Sequence, residues 1–151
     1  MSTPEKSRPN FNDRMHVHVM TTHFPISLFG AAFLFQILHL FPHQLTACFE
    51  VATNVTLLAA TVTMIPTTLS GWSTWKTKYK GAHILTFQRK ITIAFAMLGF
   101  SVVLAIWRVS FIGIFEDIPY GTWHWLYLAG NTLLILGAVA EGYYGGHLNH
   151  R

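Results

Sequence analysis

Four long stretches of the chain carry almost no formal charge, and short polar segments separate them. Residues 24–41 read FPISLFGAAFLFQILHLF and residues 51–72 read VATNVTLLAATVTMIPTTLSGW. Residues 91–107 read ITIAFAMLGFSVVLAIW, and residues 123–144 read WHWLYLAGNTLLILGAVAEGYY, with one acid, Glu141, near the end. At ~1.5 Å of rise per residue, each can cross most of a ~30 Å hydrocarbon core. A helix on the surface of a soluble bundle keeps a polar face along its length, and these stretches have almost none. The pattern predicts an all-α integral membrane four-helix bundle with spans at about 24–43, 50–71, 88–110 and 122–144. An N-terminal tail (1–22), the four-span domain (23–145) and a C-terminal tail (146–151) complete the organisation. Pro66 predicts a kink near the end of the second span, and GYYGGHLNHR reads as a glycine hinge that can swing His147 over that end of the bundle.

Charge orients the spans. Lys6, Arg8, Arg14, Lys76, Lys78, Lys80, Arg89, Lys90 and Arg151 fall on the side of the N-terminus. The other side has Arg108 alone, with Glu50, Glu116 and Asp117. The excess of cations predicts that both termini are cytoplasmic. Trp72, Trp75, Trp107, Trp123 and Trp125 all fall at predicted span ends, where indole rings favour the interface. The net charge of +4 is therefore read as membrane-surface anchoring and not as a nucleic-acid footprint. The polar N-terminus lacks the short apolar segment and cleavage site of a signal peptide. The single cysteine, Cys48, can form no internal disulfide and is read as a small apolar packer. No loop is long enough for a soluble domain, so no catalytic residue is assigned, and any catalytic domain belongs to a partner.

Composition adds one further clue. Nine histidines are many for 151 residues, and they fall near the two faces while the membrane centre has none. His18, His23, His83 and His147 lie at the inner end; His39, His43 and His124 lie at the outer end; His16 and His150 lie on the tails. Zinc and diiron sites usually recruit Cys, Asp or Glu as well, and acids are scarce here. Haem b needs two axial histidines and an apolar slot, which a membrane bundle can supply. The pattern predicts haem iron, one or two per chain, as the metal: His23 with His83 inside, and His39 with His124 outside. His18 and His147 are the inner alternates and His43 the outer one. Lys76, Lys78, Lys80, Arg89 and Arg108 are candidate partners for the haem propionates. Gly30, Gly99, Gly130 and Gly137 either open a slot for the macrocycle or serve helix packing. Gln36, Asn54 and Asn131 are read as interhelical hydrogen-bonders. Glu141 is either a proton acceptor beside a quinone or the ionic partner of Arg89 or a nearby histidine.

The segment HVMTTHFPISLFG resembles the N-terminal hallmark H-P-x-x-V-H-F-P of a bacterial family of four-span membrane proteins of unassigned function. His18, His23, Phe24 and Pro25 match it, while Val19 replaces the first proline and Thr22 the valine. SGWSTW is similar to the family's S-G-x-x-D-W through Ser70, Gly71 and Trp75, with Thr74 in place of the acid. Ala82 and His83 fall where members tend to carry a histidine before the third helix. GYYGGHL is similar to Y-G-G-x-L through Tyr144, Gly145, Gly146 and Leu148. Members often occur fused to, or beside, c-type cytochrome domains. The resemblance thus implies electron transfer in a bacterial inner membrane and a shared inner site of His18, His23 and His83.

Together these readings predict a b-type, di-haem cytochrome subunit. It would pass electrons between a quinone pool and partner subunits carrying iron–sulfur or c-type haem centres. Two alternatives remain open: a histidine-lined metal or proton transporter, for which Asn54, Thr56, Thr61 and Thr63 offer a partial polar path, and a non-redox membrane anchor.

Overall fold

The computed structural model describes residues 11–41, 46–78, 80, 85–118 and 121–149, with side chains from residue 22 of the first helix and up to residue 146 of the last. These residues form four α-helices: α1 (Phe11–His39), α2 (Thr46–Lys78), α3 (Leu85–Phe111) and α4 (Thr122–Asn149). Each helix packs on its two neighbours in a closed ring, α1 on α2, α2 on α3, α3 on α4 and α4 on α1. Each contains an apolar span: Thr22–His39, Ala47–Thr77, Leu85–Phe111 and Thr122–Gly146. The protein is an all-α, multi-pass membrane four-helix bundle, as the hydrophobic pattern predicts.

The helices overrun the apolar stretches at most ends. α1 begins at Phe11, inside the predicted tail, because nothing between there and Phe24 breaks a helix: the segment has neither glycine nor proline. It ends at His39 and not at residue 43. Leu40 and Phe41 donate to the carbonyls of Ile37 and Leu38 in a tightened final turn, and Pro42 comes next in the sequence. α4 continues through Gly142, Gly145 and Gly146 to Asn149, so the predicted hinge is part of the helix. α2 contains Pro66 within its length. α3 stops where the amides of Ile112 and Gly113 both donate to the Arg108 carbonyl. Gly113 adopts a φ of 110°, a region open to glycine and strained for other residues.

The interior is built from one residue per turn on each inward face. Phe29 and Ala32 come from α1, Leu57, Ala60 and Met64 from α2, Met97 and Leu104 from α3, and Tyr127, Leu134 and Ala138 from α4. Leu34, Val62, Val103, Leu133 and Val139 point outward and are exposed, as lipid-facing side chains must be. Trp72, Trp123 and Trp125 are exposed near helix ends. Lipid tails are as apolar as leucine, so close packing holds such helices together, and small residues permit it. A Cβ on Gly130 would lie 3.0 Å from Leu104, and one on Gly137 would lie 2.7 Å from the Met97 sulfur. Those two glycines therefore seat α3 against α4. A Cβ on Gly99 would meet nothing within 4 Å, so Gly99 seats no neighbouring helix.

Candidate metal centre

Up-and-down connection brings the end of α1, the start of α2, the end of α3 and the start of α4 to one end of the bundle. The inward face of each helix finishes there in a polar residue. On α1 the buried series Phe29, Ala32, Gln36, His39 advances by three or four residues; on α3 the series is Met97, Ser101, Leu104, Arg108. On α2 Glu50 precedes Thr53, Asn54 and Leu57, and on α4 His124 precedes Tyr127, Asn131 and Leu134. Helical periodicity alone thus stacks His39, Glu50, Arg108 and His124 into a final interior layer. His39 is 2% exposed and the other three are 0%.

Within that layer Glu50 is the hub. Its Oε1 accepts a hydrogen bond from Arg108 Nη2 at 3.4 Å, and its Oε2 lies 3.8 Å from His39 Nε2. The His39 and His124 rings face each other with centroids 5.2 Å apart and a 35° tilt. One donor atom from each of His39, Glu50 and His124 falls within 4.8 Å of the other two. Arg108 also donates to the carbonyls of Gly113, at 2.6 Å from Nη1, and Glu116. Asn54 donates to the Ile114 carbonyl at 2.6 Å, so two helices tie the α3–α4 connection down over the layer. Ile118 of that connection is buried beneath it.

Charges shut away from water are costly unless paired. Arg108 and Glu50 pair, and the Gly113 and Glu116 carbonyls each take one further hydrogen bond from Nη1 and Nη2, while the buried Nε has no hydrogen-bond partner among the described residues. Two imidazoles share the layer with this pair, His39 with its Nε2 3.8 Å from Glu50 Oε2 and His124 with a donor atom within 4.8 Å of both. Gln36, one turn below His39, is 0% exposed, and neither its amide oxygen nor its nitrogen has a hydrogen-bond partner among the described residues. A polar amide so placed marks room for water or another polar group in this layer.

His39 and His124, the predicted outer pair, are therefore brought together. Two imidazoles that ligate one haem iron from opposite faces need ring centres about 6 Å apart, given a metal–nitrogen distance of about 2.0 Å, and a flat slot between them. At 5.2 Å, with a carboxylate alongside, this donor set suits an ion held directly between the side chains. Arg108, read as a propionate partner, is instead the buried counter-ion of Glu50. Glu50 itself was not predicted for the site, because its position just before the second apolar stretch made it look like a loop charge. The signal was its spacing: four residues before Asn54 and seven before Leu57 on the inward face.

The inner set is only partly visible. His23 is exposed on α1. His83, His43 and His150 lie outside the described residues, as do the side chains of His16, His18, His147 and Lys78. Lys76 lies over the Trp72 ring at 4.3 Å, and Lys80 is exposed in the following turn. Arg89 lines a groove of about 270 Å³ with Leu85, Gln88, Thr92, Ile93 and Tyr144. The cation facing Glu141 is Lys90, not Arg89. Asn131 donates within its own helix, to the Tyr127 carbonyl, and so bridges no helices through that bond. Cys48 is exposed, not packed. Comparison with protein-family models, curated proteins and solved structures finds no match to this chain.

Proposed function

We propose that the chain is the membrane-embedded redox subunit of a larger oxidoreductase, carrying electrons through metal held by histidines near the two ends of the bundle. The observation that carries this reading is the meeting of His39 and His124. Metal-ligating side chains from the first and last helices are buried side by side, in a layer where packing alone calls for apolar residues. The described residues form the four helices, and on this reading the reaction itself is carried out by partner subunits.

On this reading the inner histidines, His23 with His83 or the alternates His18 and His147, hold a b-type haem, which supplies one-electron chemistry when bound. Lys76, Lys80 and Arg89 stand at the same end and can pair with its propionates. The groove bordered by Arg89 and Tyr144, with Glu141 three residues before Tyr144 on α4, is where a quinone headgroup would meet polar groups. Electrons would leave toward iron–sulfur or c-type cytochrome partners.

The transporter alternative is weaker because the polar interior is broken. Thr53 and Thr61 spend their hydroxyls on the carbonyls of Phe49 and Leu57. Leu57, Ala60 and Met64 fill much of the same face between Asn54 and Thr68.

The test is a dithionite-reduced minus oxidised visible spectrum of the detergent-purified chain, with haem and total metal quantified per chain. A b-type α band, or a stoichiometric redox-active metal, is the expected result. A chain that carries neither after expression in a haem- and metal-replete host overturns the redox reading.

A further inference from the structure

We infer that the outer layer is a non-haem site in which His39, Glu50 and His124 bind one divalent first-row transition ion. The inference rests on the redox reading for its purpose, but its argument is the donor set. Two neutral imidazoles and one carboxylate form a set used by both zinc and non-haem iron, and such three-ligand sites leave at least one coordination position open. The three donors come from α1, α2 and α4, so no single helix builds the site. All are buried at 0–2% exposure, and their donor atoms lie within 4.8 Å of one another. Bond lengths of about 2.0–2.2 Å to nitrogen and oxygen put ligand atoms roughly 3.5 Å apart around a tetrahedral ion. The observed spacing closes to that with small rotations of the side chains.

Arg108 fits this arrangement as a positioning residue. It holds Glu50 by Oε1 at 3.4 Å, while Oε2 stays turned toward His39 at 3.8 Å from its Nε2. Its own charge is spread over the Gly113 and Glu116 carbonyls, which softens repulsion toward an incoming cation. Asn54 and Arg108 together seat the α3–α4 connection above the layer and exclude bulk water. Gln36, with its unpartnered buried amide one turn below His39, can address the open position or a water held there.

The experiment is a Co(II) titration of the full-length chain in detergent after chelator treatment, read by visible d–d absorption, with elemental analysis of the chain as purified. The variants are His39→Ala, His124→Ala and Glu50→Gln, with Tyr143→Phe, at an exposed position near the other end of α4, as the control. Circular dichroism and size exclusion show which variants fold, and Glu50→Gln keeps the shape of the hub if an alanine variant does not. The expected result is one saturable Co(II) per chain, displaced by Zn(II) and weakened at least about tenfold in folded outer variants, with Tyr143→Phe unchanged. Three outcomes overturn the inference: no saturable band, binding indifferent to the outer variants, or a haem α band lost in His39→Ala or His124→Ala. The last leaves the redox reading standing with a haem at the outer pair. Failed Co(II) binding with an intact haem spectrum also leaves that reading standing, on the inner histidines; absence of both cobalt binding and haem removes it as well.

Discussion

Arg108 is the side chain whose surroundings say most about the outer layer, because it is an arginine with no exposed surface near a membrane face. Its guanidinium holds Glu50 on one side and the Gly113 and Glu116 carbonyls on the other. Removing one partner of a buried pair strands the other charge, at a cost of about 3–5 kcal/mol. Arg108→Met should therefore destabilise the chain by about that amount, while Glu50→Gln combined with Arg108→Met should recover a substantial part. Unfolding of the three proteins in one detergent checks this; equal losses in the single and double variants would show that the ion pair is not what Arg108 contributes. The sequence made His39 and His124 legible as a pair because alternation of spans puts the end of α1 beside the start of α4. It hid Glu50 and misread Arg108 because both sit at the edge of an apolar stretch, where a charge looks like an interface anchor. Only the inward register of each helix distinguishes a buried end-layer residue from a surface one.

Hydropathy locates the part of each helix that lies in lipid, and it cannot see where the helix stops. That is why the spans are close to those predicted while α1 starts well before Phe24 and α4 runs on to Asn149. The stops that did occur have local causes, Pro42 after α1 and Gly113 after α3. α2 carries its many threonines in lipid by giving the hydroxyls to its own carbonyls: Thr61 to Leu57, Thr63 to Ala59 and Thr67 to Thr63. Those groups need no water and no partner helix, so a threonine-rich span is not by itself a polar path. The glycines separate in the same physical way. Gly137 sits against Met97, so Gly137→Val should force α3 and α4 apart at a cost of about 1–3 kcal/mol. Gly99 faces open space, and Gly99→Ala should be neutral or stabilising by up to about 1 kcal/mol. Thermal melts in the same detergent decide; an unshifted Gly137→Val would mean that Met97 moves aside and the α3–α4 contact is loose.

Over the whole molecule, burial changes the arithmetic of orientation. Arg108 is the only cation among the residues of the outer connections, and it is neutralised inside the bundle by Glu50. The outer surface is left with Glu116 and Asp117, both exposed, while Lys76, Lys80 and Arg89 are exposed at the opposite end. Burial of the pair leaves the net charge of that side unchanged but removes its one exposed cation among the described residues, and a cation count is what the positive-inside rule uses to expect cytoplasmic termini. The single cysteine makes this testable without interference, since Cys48→Ser gives a background with no thiol. In that background Asp117→Cys should react with a membrane-impermeant maleimide added to intact cells or right-side-out vesicles. Lys80→Cys should react only after the membrane is opened. The reverse labelling would invert the topology and put the His39–Glu50–His124 layer at the cytoplasmic face. A metal bound there would then be drawn from the cytoplasm, and on the proposed redox reading any partner would have to dock from that side. Labelling of both positions in sealed membranes would show that the connections do not lie on opposite faces, and with that the assignment of inner and outer histidines would fall.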